Sequence, residues 1–99
     1  MADDEVLALA QDMTITREEF LRSLPAAVDH VSYVVGEREI RAGDPTRRWR
    51  IVLTPLPDLA LGVVRLARHR VEIFLAGYDP TATRRFLERF ELYFRRGGG

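Results

Sequence analysis

The stretch RRWRIVLT, running from Arg47 to Thr54, decides the fold. Trp49, Ile51 and Leu53 alternate with Arg48, Arg50 and Val52. A period of two sends the first set to one face of a β-strand and the second set to the other, whereas a helix would scatter both sets around its axis. The strand therefore has an apolar side and an arginine-bearing side. That pattern suits an antiparallel sheet covered on one face only.

Outward from this strand the period persists. Upstream, HVSYVV (30–35) is rich in β-branched and aromatic residues and ends at Gly36. EREIRAGD (37–44) is a weaker strand, closed by the Gly43-Asp44-Pro45 turn signal. Downstream, PLPD should break the strand at Pro55 and Pro57. LALGVVRLA (59–67) reads as a strand, because Gly62 and two adjacent valines are poor helix material. HRVEIFLAGY (69–78) places Val71, Ile73 and Leu75 on one face and Arg70, Glu72 and Phe74 on the other. The expectation from this run is about four strands.

Two helices flank it. Thr16-Arg17-Glu18-Glu19 has the form of a capping box, with Ile15 and Phe20 at hydrophobic-staple spacing. Phe20, Leu21 and Leu24 share a face, and Pro25 should stop or bend the helix near Leu24. The second helix starts with Asp79 as cap and Pro80 at its first position. Phe86, Phe90 and Phe94 then recur every four residues as one aromatic stripe. Arg95 and Arg96 suit the negative end of the helix dipole, and Gly97 to Gly99 read as a stop.

The predicted architecture is α+β: a four-stranded, mostly antiparallel meander with both helices packed on one face. Residues 14–96 form the single domain. Residues 1–13 are a frayed arm or an edge strand, and 97–99 a glycine tail. The segments TITREEFLRSLPAAV, RRWRIVLTPLPD and FLERFELYFRRGGG together resemble a family of small bacterial proteins of unknown function. The resemblance spans most of the chain from Thr14 onward and implies an α+β fold. It supplies no active-site residues.

Composition narrows the chemistry. The chain has no cysteine and no lysine, so thiolate, Schiff-base and P-loop lysine chemistry are excluded. Fifteen arginines balance fifteen acids, so no long-range field draws in nucleic acid or an anionic membrane. The acidic start MADDE does not read as a secretory signal, and no apolar run reaches membrane-spanning length. A cytoplasmic location is the expectation. His30 and Ser32 could share a strand face, but nothing orients them as a catalytic pair. No metal or cofactor motif is read.

Two binding features remain. Residues 45–70 hold six arginines against Asp58 alone. Arg48, Arg50 and Arg70 should share the outer sheet face with Phe74 as an apolar anchor, a surface suited to a protein partner or a second copy. The other reading of those arginines is a solvated face laddered against Glu72. The second feature is the terminal glycine run, in which Gly98 and Gly99 resemble the activated ends of ubiquitin-like and sulfur-carrier proteins. Those proteins reach their tail from a strand, whereas an aromatic helix precedes it here.

Overall fold

The computed structural model describes residues 5–95. The elements run β1 (Val6–Met13), α1 (Arg17–Ala27), β2 (Val34–Val35), β3 (Glu39–Asp44), β4 (Arg47–Leu61), β5 (Val64–Ala76) and α2 (Pro80–Phe94). One antiparallel sheet has the order β1-β5-β4-β3-β2. The fold is α+β as expected, but the sheet has five strands rather than four.

The fifth strand is β1. The apolar stretch after the acidic start pairs with β5 and becomes one edge of the sheet, with a bulge at Ala8. Helix α1 then carries the chain from that edge to the opposite one. The meander β2-β3-β4-β5 returns to meet β1.

Four further expectations are corrected. Pro55 and Pro57 do not break β4, which continues to Leu61. β3 pairs with β4 only as far as Val52, so the Pro55 segment is already an edge, where a missing N–H breaks no ladder. Pro57 sits in a bulge between Leu56 and Leu59. Residues 59–67 are accordingly not a separate strand but the tip of the β4–β5 hairpin. It turns at Gly62-Val63, with a positive φ of 63° at Gly62 alone, as a type II′ turn requires. Pro25 lies inside α1, which runs one turn further and closes with Val28 N–H donating to the Leu24 carbonyl, 3.0 Å. HVSYVV contributes only the two-residue β2, because Asp29 and His30 adopt left-handed φ values of 58°.

The core forms where the alternating pattern placed it. Trp49, Ile51 and Leu53 from β4 and Val71, Ile73 and Leu75 from β5 are buried beneath Phe20, Leu24 and Phe90 of the helices. Full burial of each such large side chain is worth about 1.5–3 kcal/mol. Phe94 joins the helices, stacking on Phe20 at 4.7 Å and on Phe90 at 4.5 Å. The Thr16 capping box is complete, since Glu19 N–H donates to Thr16 Oγ1 at 3.0 Å and Thr16 N–H donates to Glu19 Oε1 at 3.2 Å. Asp79 caps α2 by accepting from Ala82 N–H at 2.7 Å. Arg95 N–H closes α2 on the Glu91 carbonyl at 2.8 Å, and the expected glycine stop lies outside the described residues.

Two arginines tie the helices to the loops. Arg89 Nε donates to the Ala26 carbonyl at 2.8 Å, joining Asp29 N–H on that acceptor at the C-terminus of α1. Arg17 donates to the Gly36 and Glu37 carbonyls at 3.0 and 2.9 Å, holding the β2–β3 turn against the start of α1.

Candidate functional site

With Trp49, Ile51 and Leu53 buried, register sends Arg48, Arg50, Arg70 and Phe74 to the outer face. They sit in rows that cross the sheet. Leu7, Phe74, Arg50 and Arg41 form one row from β1 to β3. The next row is Ala10, Glu72, Val52 and Glu39, and the one after it Asp12, Arg70 and Thr54. Arg50 and Arg70 therefore stand two rows apart, each with its own counterion.

Arg50 is held on three sides. Its Nε and Nη2 donate to the two Glu5 carboxylate oxygens at 3.0 and 2.9 Å, and its Nη1 donates to Glu39 at 3.4 Å. The guanidinium lies 4.2 Å from the Phe74 ring centroid. The hydrogen bond from Arg50 lowers the Glu5 pKa against an opposing desolvation, and the same bond raises that of Arg50. Arg41, directly opposite Arg50 on β3, would repel it. Glu39 relieves that by bridging both, 3.3 Å from Arg41 Nε.

Arg70 Nε donates to Asp12 at 2.9 Å, with Arg68 3.6 Å from the other carboxylate oxygen. Asp12 is lowered in pKa by the hydrogen bond from Arg70, and Arg70 is raised by it. The laddering that the sequence assigned to Glu72 is thus made by Glu5, Glu39 and Asp12. Phe74 is half-buried under Arg50 and is not a free anchor.

The outer face is open at one end. β2 pairs only with Ile40 and Arg41, so Ala42 and Gly43, paired with β4 on one side, have no ladder partner on their β2-facing edge among the described residues. Ser32 and Tyr33 precede β2 and stand outside the ladder. Between them and β3 lies an open cleft of about 750 Å³, into which Arg41, Arg48 and Arg50 converge with Glu5 and Glu39. Tyr33 tilts against Trp49 at 6.0 Å on the cleft wall. The Arg41 side chain is 67% exposed, the most exposed cation of the three. Arg48 donates to the Pro45 carbonyl at 3.1 Å.

The β3–β4 turn fixes this end. Asp44 Oδ1 accepts from Thr46 N–H, Thr46 Oγ1 and Arg47 N–H at 2.9, 2.7 and 3.0 Å. Those hydrogen bonds lower its pKa, the one from the Thr46 side chain most. Gly43 has φ 110°, and a Cβ there would lie 2.3 Å from the Arg47 carbonyl oxygen, so only glycine fits.

Of the residues singled out in the sequence, Arg48 and Arg50 line the cleft, while Arg70 and Phe74 do not. Ser32 does line it, though not as the strand partner of His30. Glu5, Glu39, Arg41 and Tyr33 were missed. Arg41 had a signal, since alternation back from Gly43 places it outward. Gly98 and Gly99 lie outside the described residues. His69 Nδ1–H donates to the Ile15 carbonyl at 2.9 Å, which pins the β1–α1 connection. Among the described residues no three His, Asp or Glu side chains converge as metal ligands, and no helix is long and apolar enough to cross a membrane. Comparison with family models, with curated proteins and with solved structures gave no match.

Proposed function

We propose that the chain is a non-enzymatic interaction module that docks an extended, acidic protein segment in the cleft at the β3 edge. The observation that carries this reading is the coincidence of an unladdered edge at Ala42–Gly43 with three cleft-lining arginines. An added strand takes its affinity from main-chain hydrogen bonds to a sheet edge. Carboxylates on that strand would meet Arg41 and Arg48, whose guanidinium forks match them. Arg50 would stay with Glu5 and serve as the floor. The resemblance to small bacterial α+β proteins is carried as part of the same proposal.

The test is an NMR titration with extended peptides of alternating Asp and Val. Amide shifts should cluster at Ala42, Gly43 and Ser32, and they should fade as salt rises. Arg41→Glu and Arg48→Glu should each weaken binding about tenfold without changing the folded spectrum. Shifts scattered over the surface, or Arg→Glu variants that bind as well as the parent, would refute the reading.

A further inference from the structure

The β4–β5 hairpin outruns the rest of the sheet. β3 leaves β4 after Val52, and β1 leaves β5 at His69. Beyond the Pro55–His69 pair the two strands have only each other. The chain is correspondingly long for its size, 48 × 26 × 21 Å. A two-stranded hairpin on its own is at best marginally stable in water.

The tip is also the wrong chemistry for a solvated turn. Polar turn residues such as Asn, Asp and Ser are absent from 59–66. Instead Leu59, Leu61, Val63 and Val64 are 39, 55, 100 and 50% exposed. Val63 occupies the second turn position with its side chain wholly in water. Together these four present on the order of 400 Å² of apolar surface, the size of the largest patch on a typical monomer, which is often functional.

A receptor for such a tip lies on the same molecule. Where the arm leaves the body, an open cleft of about 640 Å³ separates it from the helices, with Leu59, Leu66, Met13, Ile15 and Phe94 on its apolar walls. The rim carries Asp12, Glu19 and Arg22. The tip 59–66 carries a single charge, Arg65, which makes no ion pair among the described residues. Asp12 is already bridged to Arg70 and Arg68, and Glu19 closes the Thr16 cap, so the fit of tip to cleft is one of apolar contact and not of charge.

We propose that the arm is a dimerisation clasp. In a two-fold pair each tip seats in the other copy's cleft, with Leu61, Val63 and Val64 against its apolar walls. A two-fold exchange brings both halves of the fit into one interface, because tip and cleft are carried by every copy. It buries two tips and two clefts, on the order of 1,200 Å², at the lower end of the standard range for a stable interface. The clasp goes beyond the β3-edge reading and uses a different surface.

The experiment is sedimentation equilibrium of the full chain, with a cross-link as the geometric control. The parent should sediment at twice 11.4 kDa. Val63→Asp should weaken the dimer at least about 100-fold and leave the circular dichroism unchanged, because this side chain touches nothing in the monomer. The chain has no cysteine, so Val63→Cys mixed with Ser23→Cys should give a disulfide-linked heterodimer under mild oxidation. A parent that stays monomeric at about 1 mM, a dimer indifferent to Val63→Asp, or failure of the Val63–Ser23 cross-link would each overturn the clasp. Arg41→Glu should leave the dimer mass untouched, which keeps failure of the clasp distinct from failure of the β3-edge site.

Discussion

Replacing Glu5 and Arg50 singly and together measures how far the outer-face network is structural. Two charge-assisted hydrogen bonds of 3.0 and 2.9 Å join the pair, and the side chains are 25 and 29% exposed. Fully exposed pairs couple by about 0.2–1 kcal/mol, and bidentate geometry with partial burial belongs at the upper end. A Glu5→Gln, Arg50→Gln cycle should therefore give a coupling of about 1 kcal/mol in urea unfolding at neutral pH. In a domain of this size that corresponds to about 4–8 °C in Tm. Arg50→Gln alone should cost more than Glu5→Gln alone, since it also loses Glu39 and the face of Phe74.

The pH dependence follows from the direction of the shift. Glu5 titrates lower in the folded state than in the unfolded chain, so the unfolded state takes up protons first as pH falls. The coupling should be complete above the ordinary glutamate range and should disappear as pH falls through the folded pKa. Stepping from about pH 7 to about pH 2 spans that window. A coupling below about 0.3 kcal/mol at neutral pH, or one undiminished in acid, would refute the assignment of this pair as a stabilising clamp.

Three other perturbations probe the fold. Phe90→Ala removes a fully buried ring from between the helices and the sheet and should cost about 3–5 kcal/mol in urea unfolding; a loss under about 1 kcal/mol would contradict the packing. Thr16→Ala removes the capping box and should cost about 1 kcal/mol by the same assay, with no effect if the box is idle. Gly43→Ala should lower Tm far more than Gly62→Ala, because the first forces a Cβ onto backbone while the second meets nothing within 4 Å; the opposite order would contradict the turn geometry.

The legible parts of the sequence were those governed by local rules. Thr16 and Glu19 are three residues apart, and their box needs nothing else. The Phe86–Phe94 stripe and the Trp49–Leu53 alternation named the buried faces, because a helix and a strand each fix side-chain direction by period. The misread parts were those where a neighbour's presence or absence sets the outcome. Pro55 looks like a break, yet it costs little where β3 has already ended. The 59–67 segment looks like a strand, and only the pairing of Leu61 with Val64 makes it a hairpin tip.

The candidate site divides along the same line. The sequence by itself determined that arginines face outward from the central strands, that thiol and lysine chemistry are excluded, and where the core side of each long element lies. It did so because those facts follow from residue type and period. Only the tertiary structure decided what the arginines face. Glu5 stands 45 positions from Arg50 and Asp12 58 from Arg70, so a window that found six arginines and one acid could not see their counterions. Strand order brought those acids alongside and left the cleft at the β3 edge and the projecting arm as the open surfaces. The physical reason is range: period acts over a few residues, whereas charge pairing and edge exposure depend on which strands lie side by side.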